Sequence, residues 1–110
     1  MFVYGSLKKG FHNHHVISSS RFVKESSIHG FKLFDLGYYP GIVKGSNTVC
    51  GELYIVNIET LVKLDLLESN GRLYKRIIVD SNCGNKDIGI FTYEFLGDSK
   101  NFTEINSGVY

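Results

Sequence analysis

One segment of this chain has the clear apolar spacing of an amphipathic α-helix, and most of the rest reads as short β-strands. The helical segment is N-I-E-T-L-V-K-L-D-L-L-E-S, with Asn57 as its N-terminal cap and Asn70-Gly71 as its stop. A second, shorter helix is predicted from Asn13 to about Ser20, where the apolar pattern ends. Strands are therefore expected to outnumber helices.

Strand patterns occupy much of the remaining chain and are separated by turn-forming residues. They are predicted at 2–4, 21–25, 28–34, 48–56, 73–80 and 87–96, with a proline-containing loop leading into a further strand-like pair at 42–43 and a turn at 81–86. This order, with neither a repeat nor a linker, favours an α+β fold with a closed or strongly bent mixed sheet. The whole chain, residues 1–110, is predicted to be a single domain.

Composition narrows the classes of partner and compartment. The net charge is +1 and the charged residues are interspersed, so no basic patch suggests nucleic acid. No apolar run approaches the roughly 18 residues of a membrane span, and the N-terminus lacks the apolar core of a signal peptide. The chain is therefore predicted to be cytoplasmic. Cys50 and Cys83 are predicted to be reduced thiols, with a disulfide between them as the less favoured alternative.

Two acidic residues fall on the apolar face of the long helix. On a wheel of about 100° per residue, Glu68 lies between Leu61 and Leu64, and Asp65 lies between Leu61 and Ile58. Burying a carboxylate is costly unless the group finds donors or binds a proton. For Asp65 we favour a hydrogen-bonded structural acid. For Glu68 the wheel leaves two alternatives, an acid exposed at a frayed helix end or a general base with a raised pKa.

The opening strand breaks abruptly at Gly5-Ser6-Leu7. A strand that ends in this way leaves successive backbone N–H groups without ladder partners, and such groups can bind a carboxylate or a developing oxyanion. Gly5 would allow a ligand to approach the backbone, and Ser6 would add a hydroxyl group. The alternative is a plain turn. A buried acid together with an amide-lined turn suits a small zwitterionic substrate.

Other candidate groups carry weaker signals. His12, His14 and His15 match no common zinc spacing, so a polar segment with one hydrogen-bonded histidine is favoured over a metal site. Ser6 with a histidine would suggest a hydrolase, but no nucleophile-elbow pattern is present. We therefore predict neither a metal nor a cofactor. The tyrosines at strand and loop edges are expected to be core-edge residues, and the alternative for a tyrosine beside Glu68 is that it orients the carboxylate.

Several segments, in order, resemble the γ-glutamylcyclotransferase-like family, which includes the plant avirulence-induced proteins and the γ-glutamylamine cyclotransferases. The resemblance spans nearly the whole chain and rests on V-Y-G-S-L-K-K-G-F-H-N-H-H-V-I, Y-Y-P-G-I-V, V-C-G-E-L-Y-I-V-N, L-D-L-L-E-S-N-G-R-L-Y-K-R-I-I-V and I-N-S-G-V-Y. It implies a small β-barrel with flanking helices and a cavity above the opening loop. The chain departs from the family pattern at Ser69, where glycine is usual, and at Val109-Tyr110 in the tail.

The resemblance also implies roles for individual residues. The substrate would be bound by Tyr4, Gly5, Ser6 and Leu7, Glu68 would be the catalytic acid and base, and Tyr74 would lie near Glu68. The implied reaction is cyclisation of a small γ-glutamyl compound to 5-oxoproline, catalysed by a lyase or acyltransferase. The alternatives are a non-catalytic binding module on the same fold, or another γ-glutamyl or acyl-transfer enzyme. No oligomeric state is predicted.

Overall fold

The computed structural model describes residues 1–80 and 89–110. Within them the main elements are β1 (Phe2–Val3), β2 (Arg21–Asp35), β3 (Pro40–Ile55), α1 (Ile58–Leu67), β4 (Tyr74–Val79), β5 (Ile90–Phe95) and β6 (Thr103–Glu104). Short 3₁₀ helices at His14–Val16 and Ser99–Asn101 lie in the connections. The predicted α+β class is confirmed. The predicted turn at 81–86, which contains Cys83, lies outside the described residues, and Cys50 is a half-buried free thiol.

A long antiparallel hairpin of β2 and β3 forms the centre of the larger sheet, whose strand order is β1-β3-β2-β6. Its register shifts between Phe22 and Lys24 and again between His29 and Phe31. At the second shift Gly30 has a φ of +86°, which favours glycine. Bulges of this kind bend a strand and increase its twist. The long hairpin is therefore expected to be strongly twisted.

The strand predictions were right in position but too fragmented. The predicted strands 21–25 and 28–34 are both parts of β2, and 42–43 and 48–56 are both parts of β3. In β2, the bulges absorb the breaks in side-chain alternation without ending the backbone pairing. The short β6 has no counterpart in the sequence prediction, because its two residues are too few to show a period.

Strands β4 and β5 form a second, two-stranded sheet. Every named strand pair is antiparallel, so the predicted mixed sheet was wrong. The predicted closed barrel was not found either: among the described strands, no ladder joins the two sheets. They meet instead through packing of β5 against β1 and β3. At this contact the Thr92 hydroxyl donates a hydrogen bond to the Phe2 carbonyl at 2.9 Å.

The predicted helix from Asn13 to Ser20 is wrong. Only His14–Val16 is helical, as a 3₁₀ turn, and it is followed by separate turn bonds from the Ile17 N–H to the His14 carbonyl and from the Ser20 N–H to the Ile17 carbonyl. Asn13 makes no side-chain capping bond. The His14 ring lies 2.9 Å from the Leu7 carbonyl, which ties this segment to the opening loop. Such long-range contacts hold the segment in a turn conformation that the local apolar pattern does not indicate.

Helix α1 begins as predicted, because the Asn57 side chain accepts a hydrogen bond from the Thr60 N–H at 2.8 Å. Its buried residues are Thr60 and Leu64. Ile58, which we expected on the buried face, is 75% exposed. The buried sector is thus centred nearer to Leu64 than the wheel suggested. Helix α1 has ten residues, and none of the described helices is long and apolar enough to cross a membrane.

Buried apolar residues form two clusters. One contains Phe2, Tyr4, Ile28, Phe31, Leu33, Ile42, Val49, Leu53 and Ile90. The other contains Val3, Leu7, Ile17, Tyr54, Leu64, Tyr74 and Tyr93, and it joins α1 to the opening loop and to the second sheet. This second cluster shares several residues with the cavity described next.

Candidate functional site

A cavity of about 130 Å³ lies where the two sheets, helix α1 and the opening loop meet. Its lining residues are Phe2, Val3, Tyr4, Gly5, Ser6, Leu7, Asn13, Tyr39, Pro40, Leu67, Glu68, Leu73, Tyr74 and Tyr93. All six residues predicted to form the site are among them. Segments that are far apart in sequence therefore meet at one place.

Glu68 is the C-terminal cap residue of α1 and is half-buried. Burial raises its pKa from 4.5 to about 7. Among the described residues no group donates a hydrogen bond to its carboxylate, so nothing offsets the cost of removing the charge from water. At neutral pH this carboxyl group is poised between its protonated and ionised forms.

The turn after α1 sets the position of Glu68. The Asn70 N–H bonds to the Asp65 carbonyl at 2.9 Å and the Ser69 N–H to the Leu66 carbonyl at 3.2 Å, which is the Schellman pattern of helix ends. Ser69 occupies the left-handed position of this motif, with a φ of +49°. The left-handed conformation of Ser69 is one that favours glycine, the residue that the sequence resemblance led us to expect here.

The opening loop, which lines the cavity, contains backbone donors that have no protein partner among the described residues. In the described part of the chain, the backbone N–H groups of Gly5, Ser6 and Leu7 donate no hydrogen bond, although the Gly5 carbonyl accepts one from the Lys8 N–H at 3.0 Å. Three successive free amides are an arrangement suited to an anion or a developing oxyanion.

Glycine is required at position 5 for a reason that the sequence analysis missed. A Cβ atom there would lie 2.4 Å from Cγ of Pro40. The ring of Pro40, and not a ligand, occupies the space that glycine leaves open. The glycine thus allows the proline-containing loop to pack against the opening loop, and both loops line the cavity.

Asn13 holds Ser6 through two hydrogen bonds. Its side-chain N–H donates to the Ser6 hydroxyl oxygen and its backbone N–H donates to the Ser6 carbonyl, each at 3.0 Å. Asn13 was predicted to be a helix cap and not a site residue. Its partner lies seven residues earlier in an irregular segment, where no periodic pattern links the two positions.

Two of the four tyrosines that line the cavity, Tyr4 and Tyr74, use their hydroxyl groups to hold its walls together. Tyr4 donates to the Tyr93 carbonyl at 2.8 Å, and Tyr74 donates to the Pro40 carbonyl at 2.6 Å. Burial, assisted by the nearby charge of Glu68, raises the pKa of both Tyr4 and Tyr74. The hydroxyl of Tyr74 therefore fixes the proline-containing loop and does not orient Glu68.

Asp65, one helical turn before Glu68, is a paired acid. It accepts a hydrogen bond from the Tyr93 hydroxyl, and an oxygen of its carboxylate lies 3.6 Å from Nε of Arg76. Burial and this hydrogen bond raise the pKa of Tyr93. These contacts agree with the predicted structural role of Asp65 and fasten the last turn of α1 to the second sheet.

A family model described as gamma-glutamyl cyclotransferase, AIG2-like, matches residues 1–110. The chain belongs to this family. The γ-glutamylcyclotransferase family protein ytfP of Citrobacter rodentium is 35% identical over 108 residues, covering 98% of this chain and 91% of that protein. The solution structure of ytfP from Escherichia coli has a TM-score of 0.78 at 33% identity, covering 100% of this chain and 94% of that one.

A third relative of this chain has a more specific name. It is the gamma-L-glutamyl-butirosin B gamma-glutamyl cyclotransferase of Niallia circulans, 36% identical over 69 residues that cover 62% of this chain and 44% of that protein. Membership of this family supports a general γ-glutamylcyclotransferase activity for the chain.

Proposed function

We propose that this protein cyclises a small γ-glutamyl amine or γ-glutamyl amino acid to 5-oxoproline and releases the amine. The observation that carries the proposal is a half-buried, unpaired carboxyl group, that of Glu68, in the same cavity as the three free amides of the opening loop. The carboxyl group can exchange a proton at neutral pH, and the amides can bind an oxygen that gains negative charge.

The proposed reaction needs one proton carrier. The α-amino nitrogen of the substrate attacks its own γ-carbonyl carbon, and the new C–N bond closes a five-membered ring. Glu68 takes a proton from the attacking nitrogen and passes it to the departing nitrogen as the original amide bond breaks. The products are 5-oxoproline and the free amine. Because nucleophile and electrophile belong to one molecule, ring closure supplies much of the proximity advantage.

In this scheme the amides of Gly5, Ser6 and Leu7 stabilise the tetrahedral oxyanion or bind the substrate carboxylate. A cavity of about 130 Å³ suits the glutamyl end of a substrate, with the leaving amine towards the mouth. The names of the family and of the Niallia circulans relative also point to γ-glutamyl compounds. Neither a metal nor a cofactor enters any step.

The test is the Glu68→Gln variant, assayed for 5-oxoproline release from a panel of γ-glutamyl amines and γ-glutamyl amino acids. Glutamine keeps the size of the side chain but cannot accept the amine proton. Turnover should fall by about 10²–10⁴-fold, the usual contribution of general acid–base catalysis. Folding should hold or improve, since an amide avoids the cost of a buried charge.

Glu59→Gln is the matched control, because Glu59 is an exposed acid at the other end of the same helix. Its turnover should remain that of the wild type. Thermal unfolding of both variants separates lost chemistry from lost structure. A folded Glu68→Gln protein with undiminished 5-oxoproline release would contradict the mechanism. A wild-type protein that binds 5-oxoproline but converts no member of the panel would support a binding module instead.

A further inference from the structure

The side-chain amide of Asn13 donates a hydrogen bond to Ser6. Its nitrogen lies 3.0 Å from the Ser6 hydroxyl oxygen and 3.3 Å from Nε2 of His12. A neutral imidazole nitrogen and a hydroxyl oxygen can both accept, so each N–H of the amide has an acceptor. Nε2 of His12 is an acceptor in the tautomer that carries its proton on Nδ1. In this arrangement the side-chain N–H of Asn13 is the donor to the Ser6 hydroxyl oxygen.

This donation determines what the Ser6 hydroxyl can do. A hydroxyl group has one proton to donate and two lone pairs that accept. Ser6 accepts from Asn13, and within residues 1–80 and 89–110 its own proton is donated to no protein group. Ser6 is only 8% exposed and lines the cavity, so the available direction for that proton is the cavity itself.

We propose that Asn13 is a positioning residue that turns the Ser6 hydroxyl into a fourth donor beside the amides of Gly5, Ser6 and Leu7. The inference rests on the proposed function, because it assigns the donor to the oxygen that gains charge during ring closure or to the substrate carboxylate. Asn13 itself need not touch the substrate. Its effect is to prevent Ser6 from donating its proton back to the protein.

A purely structural role would be to fasten the opening loop to the 3₁₀ turn. The backbone already does this, since the Asn13 N–H bonds to the Ser6 carbonyl and the His14 ring contacts the Leu7 carbonyl. The side-chain bond of Asn13 adds little to this attachment. Only the side chain of Asn13 makes the Ser6 hydroxyl oxygen an acceptor and so leaves the hydroxyl proton free to be donated elsewhere.

The test reverses that polarity. Aspartate has nearly the shape of asparagine but only accepts when ionised, so in Asn13→Asp the Ser6 hydroxyl would donate to it and leave the cavity. A direct effect of the new charge on the substrate is separated from the effect on Ser6 by a double-mutant cycle with Ser6→Ala. Ser19→Ala is the control, because Ser19 is exposed on the same segment and does not line the cavity.

The measured quantity is kcat/KM for γ-L-glutamyl methylamide, with the thermal midpoint of each variant. Ser6→Ala and Asn13→Asp should each lower kcat/KM by about 10–100-fold, the range for one hydrogen bond to a charged group. In the Ser6→Ala background, Asn13→Asp should lower kcat/KM by less than about a further 3-fold. If Asn13→Asp lowers kcat/KM by the same factor in Ser6→Ala as in the wild type, the inference is wrong. If Asn13→Asp does not fold, Asn13→Ala replaces it in the same cycle.

Binding of 5-oxoproline, followed by NMR titration of the same variants, distinguishes failure of this inference from failure of the proposed function. If the wild type binds 5-oxoproline but does not form it, the proposed function is wrong. The same double-mutant cycle, measured as affinity for 5-oxoproline, then tests the role of Asn13. Equal, non-additive weakening in Ser6→Ala and Asn13→Asp then supports the inference, and unchanged binding overturns it. A wild type that neither turns over the substrate nor binds 5-oxoproline overturns both.

Discussion

At the scale of single residues, two acids one helical turn apart have opposite environments. Asp65 is paired with Tyr93 and Arg76, whereas Glu68 has no donor among the described residues. Glu68 also lies at the carbonyl end of α1, where the helix dipole disfavours a negative charge. Both effects keep a proton on Glu68 at a pH where an ordinary glutamate is ionised.

The raised pKa of Glu68 predicts a pH-dependent stability. The unfolded chain releases this proton near pH 4.5, but the folded protein keeps it until about pH 7. Between these values the folded state binds more protons, so the free energy of unfolding falls as the pH rises and is constant above the folded pKa. For a half-buried group we expect a loss of about 1–3 kcal/mol.

Urea unfolding of the wild type and of Glu68→Gln at pH 4 and pH 8 measures this effect. Other titrating groups contribute equally to both proteins, so the difference between them isolates Glu68. From pH 4 to pH 8, the free energy of unfolding of Glu68→Gln should rise by about 1–3 kcal/mol relative to that of the wild type. A difference that does not change with pH would mean that the carboxyl group titrates normally and is a poor candidate for a general base at pH 7.

The site could be predicted from the sequence only in part at this scale. The helical period was enough to predict that Asp65 and Glu68 lie on the inward face of the helix. It could not separate the paired acid from the unpaired one, because Tyr93 and Arg76 come from strands β5 and β4. The roles of Gly5 and Asn13 were missed for the same reason. Their partners, Pro40 and Ser6, are not adjacent in any regular element.

At the scale of elements, α1 was predictable because its signals are local. Asn57 caps it and its stop lies within three residues of its last helical residue, Leu67. The segment after Asn13 was not predictable in this way. Contacts between its side chains and the opening loop, including that of His14 with the Leu7 carbonyl, hold it as a 3₁₀ turn.

The backbone of Ser69, at the end of α1, is strained, and a substitution can test this. Ser69 adopts a φ of +49°, where a side chain costs about 1–2 kcal/mol, while glycine would cost up to about 1 kcal/mol in chain entropy. Ser69→Gly should therefore raise the free energy of unfolding by about 0.5–1 kcal/mol. Ser19→Gly is the control, since Ser19 does not have a positive φ and the same change there should be neutral or destabilising. Equal effects of the two changes in urea unfolding would rule out relief of backbone strain.

At the scale of the whole molecule, the cavity lies between two sheets that no backbone ladder joins among the described strands. The larger sheet contributes the opening strand and the proline-containing loop, and the smaller sheet contributes Tyr74 and Tyr93. The sequence predicted the strand segments but not this division. Alternation within a strand identifies which residues face inwards, yet it contains no information on which distant strand they meet.

Side-chain hydrogen bonds at the meeting of β1 and β5 should therefore contribute to global stability. Tyr4 donates to the Tyr93 carbonyl at 2.8 Å, Thr92 donates to the Phe2 carbonyl at 2.9 Å, and both bonds are buried. Tyr4→Phe and Thr92→Val keep the shape of each side chain but remove the donor. Each should lower the free energy of unfolding by about 1–3 kcal/mol, the cost of leaving a buried acceptor without its partner.

Tyr38→Phe is the matched control for this last comparison, because Tyr38 is 88% exposed and its hydroxyl makes no hydrogen bond within the described residues. Its stability should stay within about 0.5 kcal/mol of the wild type. The measurement is the midpoint of urea unfolding at a constant m-value, so that a change in the unfolded state is not mistaken for a lost contact. If Tyr4→Phe and Thr92→Val behave like Tyr38→Phe, apolar packing alone holds the sheets together. If both variants are destabilised, the Tyr4 hydroxyl, which holds a wall of the cavity, also helps to join the two sheets.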